Sequence, residues 1–210
     1  MNILVTAIGS MSAACVISIL KKSGHRIIGC DINPYEWLME AKFCDQFYQS
    51  PLAREGFVYI RFLVEVCRKN GITHLIPLTD IEIDVINKYR HFFEVEQIIL
   101  CMPSSEILEI VRDKYRLYLE FRDDTNVPSI QTCCFNSDEI SSMQLPCIAK
   151  PLDGRSSEGL MRLNTLKEML FISTNEKYII QEYKAGNIFT VDYIRCHQDS
   201  QDIAVAREEL

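Results

Sequence analysis

The chain has 210 residues, of which 48% are apolar and 24% charged, and its formal net charge is −7. This length is enough for one large domain or two small ones, and this composition is ordinary for a globular protein. The negative charge argues against nonspecific binding to nucleic acid or an anionic membrane, and no apolar stretch approaches the roughly 20 residues that span a bilayer, so we expect neither partner.

Nine cysteines and four histidines are scattered along the chain without a C-x-x-C pair or a histidine pair at ligand spacing. An odd count and irregular spacing favour reduced thiols in a cytoplasmic setting, and they give no support to a zinc site. The first ten residues, MNILVTAIGS, lack the basic segment and cleavage site of a signal peptide. They are typical of a first β-strand.

The first hundred residues repeat a strand–helix unit. Residues 2–7 (NILVTA) predict a buried strand, Gly9 a turn, and Ser12 the start of a helix. The next predicted strand covers 26–30, and Asp31 lies directly at its carboxyl end. A strand, a crossover helix and a second strand predict a parallel sheet.

A dinucleotide site is one interpretation of this beginning, because a glycine turn precedes an acidic residue by about 20 positions. The loop GSMSAA, however, has one glycine where the dinucleotide fingerprint has three. A plain strand-to-helix turn is favoured, and an NAD(P)-binding protein stays the less favoured alternative.

Further strands at 73–78 and 97–101, with a helix from Thr79 between them, predict a doubly wound parallel sheet. Ligands of such sheets gather at the carboxyl ends of the strands. The polar residues predicted there are candidates for a substrate pocket, with turn and cap residues as the alternative. They are Gly9, Asp31, Thr79, Asp80 and Glu82.

Two short helices are predicted after Pro103, at 105–111 and 114–121, with Asp113 capping the second. Lys114 then lies in the first turn of that helix, where the helix dipole disfavours a positive charge. A ligand phosphate would relieve this misfit. A solvated lysine is the alternative.

An apolar strand at 145–150 ends in Lys150 and is followed by the loop PLDGRSSEGL. Glycines allow close approach of a ligand, hydroxyl and N–H groups hold phosphate oxygens, and a lysine adds a point charge. The stretch predicts a nucleotide-phosphate site or, alternatively, an exposed hairpin turn. Later segments predict a helix at 164–173 and a final hairpin of strands 188–195 and 203–206 with one solvent-facing side.

Six motifs occur in an order that resembles the ATP-grasp superfamily, specifically its carbamoyl-phosphate-synthase-large-subunit-like carboxylate–amine ligases. They are ILVTAIGS, GCDINP, HLIPLTDIE, RDKY, IAKPLDGRSSEGL and YIIQEYKAGNIFTVDYI. The resemblance implies an α/β fold: a Rossmann-like parallel sheet, the pre-ATP-grasp domain, over 1–103, followed by an α+β ATP-grasp lobe. That nucleotide-binding lobe with its helical linker would cover 104–183, and the first strands of an incomplete second lobe 184–210.

The resemblance also implies that Mg-ATP activates a carboxylate as an acyl phosphate and that an amine or ammonia then displaces phosphate. Lys114 and Lys150 would reach the ATP phosphates, and the loop from Asp153 to Gly159 would close over them. Gln181, Glu182 and Lys184 would bond the base largely through backbone groups, with Tyr183 nearby. The implied cofactor-binding set is Lys114, Lys150, Asp153, Gly154, Ser156, Ser157, Gly159, Gln181, Glu182, Tyr183 and Lys184.

Two positions depart from the family pattern. Ser156 stands where a glycine is usual, which makes a positive φ more costly. Ile188 stands where a glutamate usually binds the ribose, and an isoleucine accepts no hydrogen bond. The family's magnesium ligands fall beyond Leu210, so no metal ligand is expected here. The chain is expected to be an inactive piece of a longer ligase, in preference to a natural truncation.

The resemblance implies a small-molecule carboxylate and an amine as substrates. A homodimer is a further possibility that the sequence does not decide. A non-catalytic nucleotide- or partner-binding module is the alternative function.

Overall fold

The computed structural model describes residues 1–153, 158–172, 177–195 and 202–209. The chain divides into two compact units, Met1–Ser105 and Glu106–Leu210. The first contains a five-stranded sheet with an apolar cluster on each face, and the second contains a four-stranded sheet with one apolar cluster and a two-stranded hairpin. The division into three parts at residues 103 and 183 stays a prediction. Among the described helices, none combines the length and the apolar character that crossing a bilayer requires.

The first unit is built on a parallel sheet. Its strands are β1 (Asn2–Val5), β2 (Arg26–Asp31), β3 (Gln46–Gln49), β4 (His74–Ile76) and β5 (Ile99–Leu100). Its helices are α1 (Ala13–Lys22), α2 (Phe57–Asn70), α3 (Asp80–Lys88) and α4 (His91–Val95), with 3₁₀ turns at Tyr35–Trp37, Glu40–Phe43 and Ala53–Glu55. All strand pairs are parallel, in the order β3-β2-β1-β4-β5. The predicted doubly wound sheet is confirmed.

Successive side chains of β1 pack alternately into two apolar clusters, one on each face of the sheet. Leu4 belongs to the cluster that includes α2, whereas Ile3 and Val5 belong to the cluster that includes α1. Successive side chains of a strand point to opposite faces, and a parallel sheet is covered on both. The buried stripe of α2 contains Tyr59, Ile60 and Leu63, whereas Phe57 in its first turn is 49% exposed.

The second unit contains an antiparallel sheet. Its helices are α5 (Ser105–Val111) and α6 (Lys114–Phe121), with 3₁₀ turns at Asp138–Ser142 and Leu166–Phe171. Its strands are β6 (Thr132–Cys134), β7 (Cys147–Pro151), β8 (Met161–Leu163), β9 (Tyr178–Glu182), β10 (Ile188–Arg195) and β11 (Asp202–Glu209). The order of the four-stranded sheet is β6-β9-β7-β8, and β10 and β11 form the predicted hairpin. The α/β fold class with a later antiparallel part is confirmed.

Two predictions in this unit are wrong in detail. The segment 164–173 was expected to be a helix, but Leu166–Phe171 is a 3₁₀ turn. Its Leu166 and Leu170 side chains are 67% and 84% exposed, because the tighter winding of about three residues per turn changes which side chains face the core. The hairpin exposes large apolar side chains on both faces, not one, because a two-stranded ribbon has no second layer.

Asp113 caps α6, the helix that carries Lys114. Its Oδ1 accepts hydrogen bonds from the backbone N–H groups of Tyr115 and Arg116, both at 2.9 Å. We expect Asp113→Ala to lower the free energy of unfolding by about 0.5–2 kcal/mol, the usual effect of losing such a cap. Urea unfolding of the chain checks this. Asp113→Asn keeps the accepting oxygen and should lose much less, so equal losses in both variants would contradict the capping role.

Candidate functional site

Lys150 lies on the exposed face of the second unit's sheet, near the end of β7. The β7–β9 register pairs Ile148 with Gln181 and Lys150 with Ile179. Directly opposed residues of an antiparallel pair share a face, and so do residues two apart on one strand. Lys150 and Gln181 are therefore diagonal neighbours, and Lys150 Nζ donates to Gln181 Oε1 at 2.8 Å.

Lys114 approaches the same strand from α6. Its Nζ donates to the carbonyl oxygens of Pro151 and Leu152, at 2.9 and 3.2 Å, and its backbone N–H donates to Leu152 at 3.2 Å. These bonds tie the first turn of α6 to the end of β7. The ammonium that the helix dipole disfavours is thus held by backbone carbonyls, which stabilise a cation.

Both lysines and Gln181 line one cavity of about 240 Å³. The other lining residues are Leu117, Tyr118, Phe121, Val127, Ser129, Ile130 and Ile179. Burial lowers the pKa of Lys150, and the positive charge of Lys114 lowers it further. Burial likewise lowers the pKa of Lys114, against an opposing effect of Asp153. Among the described residues no carboxylate forms an ion pair with Lys150, so the cavity presents positive charge to a ligand.

The loop from Asp153 to Gly159, which is predicted to close over the phosphates, is described by the structure only at its two ends. Asp153 is exposed at the end of β7, and Gly154, Ser156 and Ser157 lie outside the described residues. Gly159 has a φ of +72°, and a Cβ there would meet Pro151 Cγ at 2.8 Å and the Tyr178 hydroxyl at 3.0 Å. The return of the loop to the sheet therefore requires glycine at this position.

The predicted base-contacting residues lie at the end of β9, which contains Gln181 and Glu182, and directly after it, at Tyr183 and Lys184. Glu182 and Lys184 form an ion pair, and the Arg162 guanidinium lies 4.1 Å from the centre of the Tyr183 ring. Gln181 is paired with a strand on each side, so its side chain is the part that reaches the cavity. Ile188 is exposed on β10.

A second group of polar residues lies at the carboxyl edge of the first unit's parallel sheet. Asp31 Oδ2 accepts from the Gly9 N–H at 2.8 Å, and Oδ1 accepts from the backbone and side-chain nitrogens of Asn33 at 2.9 and 3.0 Å. A Cβ on Gly9 would meet Leu38 Cδ2 at 2.8 Å. Glycine therefore lets the first loop close onto the carboxylate of Asp31.

Glu82 is held at the same edge by two hydroxyls. Tyr59 donates to its Oε1 at 2.6 Å and Thr79 donates to its Oε2 at 2.7 Å. Burial raises the pKa of the Tyr59 phenol, and electrostatic interactions with Cys30 and Glu82 raise it further, so the phenol stays a donor. Thr79 is the N-cap residue of α3, as the sequence indicated, but its hydroxyl holds Glu82 and makes no hydrogen bond to the helix backbone.

A cavity of about 460 Å³ opens at this edge. Asp31, Thr79 and Glu82 line it, Gly9 supports it through Asp31, and Asp80 is exposed and outside its lining. The sequence did not single out the other polar lining residues Ser10, Asn33, Arg54 and Tyr59. Tyr59 sits on a mostly apolar helix stripe, so no local pattern distinguishes it from a core residue.

The described residues contain no group of three or more acidic, histidine or cysteine side chains that could hold a metal ion. Magnesium prefers several oxygen ligands in near-octahedral geometry. The described part of the chain therefore does not fit a magnesium site by itself.

Two family models match the sequence. Residues 3–101 match the PylC-like N-terminal domain and residues 111–210 match the ATP-grasp domain. A search of curated protein sequences finds no match.

Several solved structures share the fold. They include a biotin carboxylase–β,γ-ATP complex from Campylobacter jejuni (TM-score 0.74, 15% identity, 99% of this chain and 50% of that one). N5-carboxyaminoimidazole ribonucleotide synthetase from Thermotoga maritima is similar as well (0.72, 15%, 99% and 53%). So is an L-amino acid ligase from Bacillus licheniformis (0.73, 10%, 97% and 48%).

The chain spans about half the length of these solved chains. At such identities the likeness is one of fold. The narrower resemblance to carbamoyl-phosphate synthases stays a prediction. The parallel sheet of the first unit and the antiparallel sheet of the second agree with the two family matches: residues 3–101 match the PylC-like N-terminal domain and residues 111–210 match the ATP-grasp domain.

Proposed function

We propose that this chain is the ATP-binding portion of an ATP-dependent carboxylate–amine ligase. The observation that carries the proposal is the pair of lysines, from α6 and β7, that line one cavity. Each comes from a separate element. Lys150 is half-buried and forms no ion pair with a carboxylate among the residues that the structure describes, so its charge favours binding of an anion. Phosphate is the anion that the order of motifs implies.

The apolar part of that cavity suits a flat, apolar ring. Leu117, Phe121 and Ile179 line it beside Lys150 and Gln181. Apolar side chains with a few polar groups that fix orientation are typical of small-ligand sites. We assign the apolar part to the nucleotide base and the lysines to its phosphates, with the loop from Asp153 to Gly159 as the cover.

The proposed reaction has two steps. A carboxylate oxygen attacks the γ-phosphorus of ATP, the bond to the β-phosphate oxygen breaks, and ADP leaves. An amine then attacks the acyl carbon, inorganic phosphate leaves, and the nitrogen loses a proton. The two lysines neutralise charge on the transferring phosphoryl group, and positioning with charge neutralisation is the main protein contribution to such transfers.

The cavity of the first unit is the proposed substrate pocket. Asp31, Thr79 and Glu82 line it, and Arg54 is its basic lining residue. We propose that it holds the small-molecule carboxylate or the amine.

The NAD(P) alternative is less well supported. A ribose-binding role would require the Asp31 carboxylate to face a ligand, but both its oxygens are engaged with Gly9 and Asn33. The non-catalytic alternative rests on Ser156 and Ile188, the two departures from the family pattern.

Isothermal titration of the complete gene product with ATP, ADP and NAD separates these functions. Binding of ATP and ADP without NAD, followed by ADP release when amino acids are added as combined carboxylate and amine substrates, is the expected result. Binding without turnover over a broad set of carboxylates and amines favours the non-catalytic module. Absence of nucleotide binding contradicts the proposal.

A further inference from the structure

A chain of hydrogen bonds crosses three strands of the second unit and ends at Lys150. Thr132 Oγ1 donates to the Ile130 carbonyl at 2.8 Å, and Gln181 Nε2 donates to Thr132 Oγ1 at 3.0 Å. Gln181 Oε1 accepts from Lys150 Nζ at 2.8 Å. Thr132 is 2% exposed, so its hydroxyl has little access to water.

The strand register makes this chain possible. Thr132 is directly opposite Gln181 across β6 and β9, and Gln181 is diagonal to Lys150 across β9 and β7. All three side chains therefore share one face of the sheet. The opposite face carries Cys133, Ala149 and other members of the apolar core.

The hydroxyl of Thr132 determines which way the Gln181 amide points. A threonine hydroxyl has one proton, and Thr132 gives it to Ile130. Its oxygen can then only accept, so the NH₂ end of Gln181 must face Thr132 and the carbonyl end must face Lys150. The reversed amide would place an NH₂ group against the Lys150 ammonium and lose both hydrogen bonds.

A neutral acceptor suits a lysine that binds phosphate. Lys150 has three N–H donors and uses one on Gln181. A carboxylate at that position would neutralise the ammonium, whereas an amide oxygen orients it and leaves its charge for the ligand.

We propose that Thr132 is a positioning residue for nucleotide phosphate, acting through the Gln181 amide on the Lys150 ammonium. The inference rests on the proposed function. It assigns a role to a residue that touches neither phosphate nor base.

The test compares Thr132→Val, which removes the hydroxyl and keeps the shape, with Thr132→Ser, which keeps the hydroxyl. In the complete gene product, we expect Thr132→Val to weaken ATP and ADP binding by about threefold to tenfold, the effect of one neutral hydrogen bond. Adenosine, which has no phosphate, should bind as in the wild type, and Thr132→Ser should restore the ATP affinity. Thr125→Val, in an exposed loop of the same unit, is the matched control.

The outcomes are separable. If Thr132→Val lowers the affinities for ATP and adenosine equally, Thr132 only supports the fold and the inference is overturned. The inference is also overturned if Thr132→Val binds ATP with the wild-type affinity. If Thr132→Val does not fold, Thr132→Cys, which replaces the hydroxyl with a weakly hydrogen-bonding thiol, tests the same chain, and it should weaken ATP binding while leaving adenosine unaffected. Thr132→Val should have no further effect in a Lys150→Met background. A wild-type protein that binds no ATP overturns the proposed function instead.

Discussion

Lys150→Met is expected to weaken ATP binding by about 10- to 100-fold, because a hydrogen bond to a charged group contributes about 1.5–3 kcal/mol. Methionine keeps an unbranched apolar side chain of similar length, so the cavity stays filled. Lys150 lines that cavity beside Lys114 and has no carboxylate partner among the described residues. Its positive charge is therefore available to a ligand phosphate. Isothermal titration with ATP measures the change.

The matched control is Lys167→Met, which removes an exposed lysine from the 3₁₀ turn of the same unit. This variant should bind ATP within about twofold of the wild type, as surface charges contribute little. Lys150→Met should also keep its affinity for adenosine. An unchanged ATP affinity in Lys150→Met, or an equal loss in Lys167→Met, would show that Lys150 does not bind phosphate.

The same lysine predicts a pH dependence. Burial lowers the pKa of Lys150, and Lys114 lowers it further, so the ammonium loses its proton at a lower pH than an ordinary lysine. ATP affinity should fall as pH rises through that lowered pKa, and binding there should take up a proton. Isothermal titration calorimetry with ATP in two buffers of different ionisation enthalpy measures the number of protons taken up on binding. Lys150→Met should abolish this proton uptake.

The folded protein disfavours the charged form of Lys150, and this fixes the sign of the stability effect. The folded pKa lies below the unfolded one, so the cost is present in full below both values and disappears as pH rises above the unfolded pKa. At neutral pH, Lys150→Met should not lower the free energy of unfolding. A variant that loses nucleotide affinity without losing stability is typical of a functional charge.

Tyr59→Phe is expected to lower the free energy of unfolding by about 1.5–3 kcal/mol, the value of a hydrogen bond to a charged group. Tyr59 is 1% exposed and Glu82 is 7% exposed, and the 2.6 Å bond between them is made away from water. Without the phenol, Oε1 of the Glu82 carboxylate loses that donor. Urea unfolding of the chain, monitored by circular dichroism, measures the loss.

Two comparisons isolate that bond. Tyr35→Phe removes the hydroxyl of a tyrosine that is 43% exposed, and it should change stability by less than about 0.5 kcal/mol. In a Glu82→Gln background the bond is neutral, so the cost of Tyr59→Phe should fall to about 1 kcal/mol. A loss that is the same in both backgrounds would mean that the charge of Glu82 has no part in it.

Local sequence patterns predicted much of the fold. The apolar runs of β1 and β2 and the helix between them were enough for a parallel sheet, and α5 and α6 were predicted at the positions where they occur. These elements depend on periodicity and on caps such as Asp113, which act over a few residues. The 3₁₀ turn at Leu166–Phe171 was missed, because a short apolar stretch fits either helix type.

The sequence by itself determined that Lys114 begins a helix and that Lys150 lies near the end of a strand, because a cap, an apolar run and a loop are local signals. Only the tertiary structure decided that both ammonium groups line one cavity and that Thr132 shares a sheet face with Gln181. It likewise brought Tyr59 to Glu82 across 23 residues. Strand register and the packing of a helix on a sheet join residues far apart in the chain, and no local pattern records which residues will meet.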